Sequence, residues 1–419
     1  MTRLRGMLLL LAATLAVALL TGRELFYNLT YLLTALLVVT FLWAQVSIRW
    51  ISLGRQTRSR RAQVNTLLEE RFLLRNTGPF PKLWLEVQDH STLPGHYASQ
   101  VVNSLGPHQE RRWRVQTLCR ERGLFTLGPI TLSSGDPFGL FTFRRTLPHT
   151  TSVVIYPMTV EIREFPLPLG HLPGGEALRR RTHTITPNAA GVRDYAPGDS
   201  FNRIHWPSTA RKDRLIVKEF ELDPLSDVWI FLDMDRYAHA ALPAAWERRE
   251  RDRGWLLPWE VPDSFQLPPS SEEYAVSAAA SIAQYFLRRG RGVGLVAYGQ
   301  KREVLQADRG ERQLTKVLEI LAMLRAEGRI PFSEVLRTEA ARLTRGTTLV
   351  AISPSVSSEW MLMARHAQRT GLRVVAVVVD AASFGGPPGA PEIAEQFAAV
   401  GIPVRIVREG DDLGAALST

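Results

Sequence analysis

"DVWIFLD", residues 227–233, runs apolar from one aspartate to the other. A short continuous apolar run is how a strand buried on both faces reads. The downstream segments decide between a lone buried strand and a layered sheet. In "SEEYAVSAAASIAQYFLRRG", residues 271–290, Val276, Ala279, Ala280, Ala283, Phe286 and Leu287 recur at the spacing of one helix face. Ser270 and Glu273 read as a capping box before it, and Gly290 as its stop. "GVGLVAYG" (292–299) is a strand, and "RQLTKVLEILAMLRA" (312–326) a helix with Leu314, Val317, Leu318, Leu321 and Leu324 on one side. "SEVLRTEAARLT" (333–344) is another helix. "TTLVAIS" (347–353) and "LRVVAVVVD" (372–380) are buried-type strands, and "IPVRIV" (402–407) closes the chain. Apolar strands alternating with amphipathic helices predict a doubly wound, mostly parallel sheet over 222–419, an α/β fold. Ligands of such folds sit at the carboxyl ends of the strands.

Upstream the period changes to two. "RFLLRN" (71–76), "LWLEVQD" (83–89), "RRWRVQTLC" (111–119), "LFTLGPITL" (124–132) and "LFTFRR" (140–145) alternate apolar and polar positions. Turn signals such as "NTGPFP" and "GDPFG" divide them. A small β-sandwich over 62–158 is expected.

The amino-terminal end reads differently again. Residues 7–20 and 25–46 carry no charge and are separated by a turn containing "TGRE". About 20 helical residues cross a hydrocarbon layer of roughly 30 Å. Residues 1–50 therefore predict a transmembrane hairpin; a cleavable leader is the alternative reading of the first segment. Arg3 and Arg5 precede the hairpin, and Arg49, Arg55, Arg58, Arg60 and Arg61 come after it without an acid. Positive charge stays on the cytoplasmic side, so a multi-pass protein of the cell membrane is expected, with the bilayer as a partner and cytoplasmic soluble domains.

The chain has 419 residues, a net charge of +10 and one cysteine, Cys119. Its length suits two or three domains. One cysteine excludes an internal disulfide framework and a multi-cysteine metal site. The basic cluster adjoins an apolar segment, which argues for a membrane surface and against nucleic acid.

Two stretches break the rhythm. Residues 159–221 read as a connector, and 191–221, "GVRDYAPGDSFNRIHWPSTARKDRLIVKEFE", hold its densest chemistry. Trp206 is read there as an apolar anchor, and the Arg and Asp residues as structural ion pairs. Residues 238–269 form an insertion with Trp246, Trp255 and Trp259 among four arginines, Arg248, Arg249, Arg251 and Arg253. A loop of that length, rich in hot-spot residue types, is expected to dock a partner.

The 191–221 stretch resembles the signature of the bacterial domain-of-unknown-function 58 family, through Gly191, Arg193, Tyr195, Pro197, Gly198, Asp199, Arg203, Trp206, Arg211, Lys218 and Glu219. "RERGLFTLGPITLSSGDPFGLF" and "VIYP" upstream are similar to it as well. The resemblance implies a membrane-anchored protein with a carboxyl-terminal von Willebrand factor A-like domain. It also implies partnership with a MoxR-type AAA+ ATPase or the client it remodels, and it supplies no reaction.

Von Willebrand A domains often hold Mg²⁺ through Asp-x-Ser-x-Ser, a Thr and a later Asp. Here Asp233, Asp235 and Ser353 are the degenerate counterparts; Tyr237 replaces a Ser, Arg236 adds positive charge, and Pro354 stands where the last Asp is expected. Mg²⁺ wants hard oxygens in octahedral array, so no cofactor is expected, with Mg²⁺ the one candidate. No phosphate-binding loop, HExxH or GxSxG nucleophile elbow occurs. Two function classes remain. The first is a membrane-tethered interaction or adaptor module without catalysis of its own. The alternative is an enzyme or metal-dependent ligand binder using the region of Asp233, Asp199 and His205.

Overall fold

The structure, a computed structural model, describes residues 2–166, 189–194, 205–212, 214–220, 227–243 and 266–418. Helices α1 (Thr2–Thr21) and α2 (Glu24–Ser47) lead the chain. Gly22 turns between them at φ 64°, a left-handed conformation in which a Cβ is strained. Thr14 and Thr30, equally spaced either side of Gly22, meet at 3.4 Å, so the helices run antiparallel. By length and composition both are apolar enough to cross a membrane. Lys82, 1 % exposed, joins α2 to the next domain: its Nζ donates to the Val46 carbonyl at 2.7 Å. The Val46 carbonyl already accepts from the Arg49 amide at 3.2 Å, and a cation there also suits the carbonyl end of the helix dipole.

Ten strands come next: β1 (Ile51–Thr57), β2 (Arg61–Gln63), β3 (Leu67–Asn76), β4 (Lys82–Asp89), β5 (Gln100–Leu105), β6 (Glu110–Leu118), β7 (Gly123–Leu127), β8 (Ile130–Gly135), β9 (Thr142–Leu147) and β10 (Thr151–Tyr156). Sheets β1-β3-β6 and β5-β4-β8-β9 are antiparallel and share one core, with Ile51, Phe72 and Leu74 facing Leu85, Val87, Val102 and Leu132. A third sheet, β2-β10-β7, stands apart from that core.

Of the five arginines after α2, Arg55 and Arg61 lie on strands, β1 and β2. The two-residue period of β1 puts Arg55 on the same inward side as Ile51 and Leu53. Its guanidinium donates to Glu70 at 2.8 and 2.7 Å and to Asp89 at 3.1 Å. His96 completes the cluster, 3.2 Å from Glu70 and 3.0 Å from Asp89. Arg61 pairs with Glu319 at 2.7 Å.

Beyond residue 188 come β11 (Ala189–Asp194), α3 (Trp206–Lys212) and β12 (Ile216–Phe220). They lead to β13 (Val228–Leu232), α4 (Ser271–Arg288), β14 (Val293–Tyr298), β15 (Arg302–Asp308), α5 (Glu311–Met323), α6 (Phe332–Ala340) and β16 (Thr348–Ser353). The last elements are α7 (Ser358–Arg369), β17 (Arg373–Val379), α8 (Ala390–Ala399), β18 (Val404–Val407) and α9 (Leu413–Ala416). Strands β13 to β18 form one sheet in the order β15-β14-β13-β16-β17-β18, parallel except for β15 against β14. β15, not foreseen from the sequence, is a half-exposed edge strand.

Both faces of this sheet are covered, which is why its strands read as unbroken apolar runs. Val228, Ile230 and Leu232 pack with α4 and α5, whereas Trp229 and Phe231 pack with α6, α7 and α8. The first of these cores also takes in Leu127, Val153, Ile155 and Phe165, so the β2-β10-β7 sheet and the α/β domain share one interior.

The expected capping box is not made. Ser270 sits at the N-cap of α4, but its side chain makes no cap bond. Glu273 turns instead to Arg122, which is fully buried, and Glu272 joins it. Arg122 also donates to the carbonyls of Leu321 and Leu324 at 3.0 and 2.8 Å. One guanidinium from the β domain thus bridges the acidic first turn of α4 and the carbonyl end of α5, where a cation suits the helix dipole. The ion pair across domains outcompetes the local cap because Arg122, with no solvent to return to, must find its counter-charge there.

Candidate functional site

The carboxyl end of β13 is where a parallel sheet presents its ligand face. Asp233 follows Leu232 there and is 2 % exposed. Its Oδ2 accepts from Ser353 Oγ at 2.6 Å, from the end of the neighbouring β16. Its Oδ1 accepts from the Asp235 amide at 3.0 Å, closing a turn. Ser353 Oγ accepts in turn from the Ser355 amide at 2.9 Å. The chain then crosses to Gly328, whose amide donates to the Met234 carbonyl at 2.9 Å. A Cβ on Gly328 would lie 2.2 Å from the Tyr298 carbonyl, so glycine is required for this approach.

His239 and Ser271 belong to the site and were missed from sequence. His239 Nε2 lies 2.9 Å from the Asp233 carbonyl, and Nδ1 lies 3.0 Å from Ser271 Oγ. A carbonyl only accepts, so the proton is assigned to Nε2 and Ser271 donates to Nδ1. Both ring nitrogens are engaged. No spacing motif marks this histidine; its single local signal is its place six residues after a strand-end aspartate.

Burial pushes the Asp233 carboxyl above its ordinary range, with the charge of Asp235 adding to the rise; His239, Ser353 and the Asp235 amide oppose it. A carboxyl raised in the folded state binds protons on folding. Its contribution is full below the unfolded value of about 4 and is lost as pH climbs towards the folded value. Asp233→Asn keeps an acceptor and cannot ionise. The variant should lose less stability than the parent between about pH 4 and neutrality, read from denaturation midpoints across that range. A parent and variant falling in parallel would mean that Asp233 is compensated.

Of the sequence candidates, Asp233 and Ser353 are brought into contact, and Asp235 lies beside them with Oδ1 accepting from the Tyr237 amide at 3.2 Å. Ser333, on α6, donates to Glu359 at 3.3 Å. Among the described residues no three His, Cys, Asp or Glu side chains group as a metal site. Cys119 is fully buried, and burial pushes its thiol up to about 12, which disfavours the reactive thiolate.

Gly191, Arg193, Lys218 and Glu219 lie on β11 and β12, which pair antiparallel with Gly191 opposite Glu219 and Val192 opposite Lys218. The His205 amide donates to the Ile216 carbonyl at 2.8 Å, pinning α3 to β12. His205 Nδ1 pairs with Ser208 at 2.7 Å within the same turn. Trp206 is not an anchor: it is 65 % exposed, and Arg211 is exposed as well. Tyr195, Pro197, Gly198, Asp199 and Arg203 lie outside the described residues, as do Trp246, Trp255 and Trp259.

The model of the family described as "Protein of unknown function DUF58" matches residues 191–241. The uncharacterized protein YeaD of Bacillus subtilis (strain 168) is 25% identical over 348 residues, covering 80% of this chain and 77% of that one. Both matches support the DUF58 family. The DUF58 segment runs from the β11–β12 ladder through β13 to Ala241, so it holds the signature and the Asp233 turn together. The CARDB domain of PF1109 from Pyrococcus furiosus covers 25% of this chain and 91% of its own, at 17% identity and a TM-score of 0.20. The pilus adhesin SpaC of Lactobacillus rhamnosus GG covers 46% and 29%, at 10% identity and a TM-score of 0.28. Likenesses at that level carry no argument about fold or function.

Proposed function

We propose that this protein is a membrane-tethered interaction module, without catalysis of its own, that works with a MoxR-type AAA+ ATPase or the client it remodels. In this reading α1 and α2 span the cell membrane, both soluble domains are cytoplasmic, and nucleic acid is not a partner. The carboxyl-terminal domain is read as von Willebrand factor A-like; a mostly parallel sheet with an aspartate closing its first strand supports that likeness.

One observation carries the reading. Both Asp233 carboxylate oxygens and both His239 nitrogens are satisfied within the chain, while Arg236 and Tyr237 beside them are exposed, Tyr237 at 73 %. The strand ends therefore offer a fixed surface rather than a free acid, base or nucleophile. The donor set suits a hydrogen-bonded turn better than a Mg²⁺ cage, because the Asp235 oxygen is turned back to an amide and Pro354 adds no ligand. Arg236 stacks on Tyr237 at 4.5 Å, a pairing suited to an interface, and the Trp-rich segment begins a few residues later.

Affinity isolation of the full-length protein from membranes tests this. The parent should retain a MoxR-type ATPase. An Arg236→Glu, Tyr237→Ala variant should bind it about tenfold more weakly, ~1.4 kcal/mol, at an unchanged melting temperature. A variant that binds as well as the parent removes the docking face, and a parent that retains no such ATPase removes the reading.

A further inference from the structure

The apolar side of α2 is not bare along its whole length. Phe41 meets Phe141 and Phe143 edge-on, with ring centroids 5.4 and 5.8 Å apart. Both partners belong to the turn joining β8 and β9 and to its return strand. The same turn reaches α1, where Arg3 Nη1 donates to the Phe138 carbonyl at 3.4 Å. Asp136, 1 % exposed, holds the turn in shape by accepting from the amides of Phe138 at 2.9 Å and Phe141 at 2.6 Å. Even so, the Phe138 side chain at the tip is 56 % exposed. A large apolar side chain held outward on a fixed turn, between two apolar helices, asks for an apolar surface.

Helix lengths place that turn. The 20 residues of α1 span about 30 Å, the thickness of the hydrocarbon layer, so Arg3 marks one boundary of it. Phe41 precedes the end of α2 at Ser47 by about 9 Å. Two separate helices thus put the turn at one level, where hydrocarbon meets headgroups. The flanks have the matching composition. Trp50 and Phe80, 44 % and 48 % exposed, pack at 6.3 Å beside the end of α2, and Arg5, Arg144 and Arg145 are exposed nearby in sequence. Aromatics with arginines are the side chains enriched at a bilayer interface.

We propose that the β8–β9 turn, with Phe138 at its tip, is a membrane-surface contact that seats the sandwich in the headgroup layer of the bilayer that α1 and α2 cross. The sandwich then stands on the membrane instead of swinging from the end of α2. Arg122 and the shared core carry that placement on to the α/β domain. This inference rests on the membrane reading of α1 and α2, and the test separates the two.

The full-length protein, with Cys119→Ala as background, is placed in nanodiscs of phosphatidylethanolamine and phosphatidylglycerol in equal parts. One nitroxide is attached at F138C, at L32C midway along α2, or at Y97C. Leu32 is 64 % and Tyr97 79 % exposed, and Tyr97 lies beyond the end of β4 opposite Lys82. Labels at positions 138 and 32 should be several-fold more accessible to oxygen than to an aqueous nickel chelate, and the label at 97 the reverse. A label at 138 that behaves like 97, while 32 stays in lipid, overturns the proposal alone. A label at 32 in water overturns the membrane reading and the proposal with it. Spin–spin broadening at 138 that vanishes on dilution with unlabelled protein means that a second copy covers the turn, and also overturns it. If F138C lowers the melting temperature, L140C on the same turn takes its place in each comparison.

Discussion

Arg122→Ala should destabilise the full-length protein by roughly 3 to 5 kcal/mol, the range for removing one partner of a buried ion pair. Arg122 is fully buried between the β domain and the α/β domain, and four groups depend on it. Glu272 and Glu273 would lose their closest cation, and the carbonyls of Leu321 and Leu324 a donor. Arg325 lies 3.3 Å from Glu273 and compensates in part, but it is more exposed and also donates to the Arg122 carbonyl. Urea denaturation in detergent micelles measures the loss. Arg122→Met combined with Glu272→Gln and Glu273→Gln should recover much of it, because the cost lies in orphaned charge more than in the missing contact. Equal stability of Arg122→Ala and parent would show that the domains are held by their shared apolar core alone.

The second large effect lies inside the sandwich. Arg55→Ala should also cost roughly 3 to 5 kcal/mol. Glu70 and Asp89 are 0% and 2% exposed as side chains, and among the described residues Arg55 is the arginine that pairs with both. Burial pushes the Asp89 carboxyl up, yet hydrogen bonds from His96 and Ser91 and the charge of Arg55 outweigh it and hold the carboxyl below its usual range. A carboxylate depressed in the folded state contributes stability above its unfolded value, and the contribution is lost as pH falls through the folded value. The parent should therefore lose stability below about pH 4, and Arg55→Ala should show a shallower loss there. Denaturation midpoints of both proteins at neutral and acid pH check the size and the slope together. An Arg55→Ala midpoint equal to the parent at neutral pH would mean that His96 suffices as the partner.

The arginine at position 55 also shows where sequence reading stops. Five arginines after an apolar segment read as a membrane-surface cluster, and nothing local contradicts that. Glu70, Asp89 and His96 lie on or after other strands, so the acids that draw Arg55 inward are invisible in its own neighbourhood. Glu273 is the same case: its spacing from Ser270 matches a capping box, yet Arg122, far back in the chain, takes it. Trp206 fails in the other direction, since size and aromaticity suggest an anchor but only packing decides exposure. His239 joins Asp233 through a backbone carbonyl, a contact that has no residue-type signature.

What the sequence determined by itself is periodic. Two uncharged runs specified α1 and α2, alternation specified most of the β-domain strands, and unbroken apolar runs between amphipathic helices specified a sheet covered on both faces. Those features arise from each segment's own burial requirement, which its residues state locally. The tertiary structure alone decided the pairings of single polar groups: Arg55 with Glu70, Arg122 with Glu272 and Glu273, His239 with Ser271. Each joins residues distant in the chain, and a buried charge settles wherever the fold brings its complement, because an unpaired one costs more than any local preference returns.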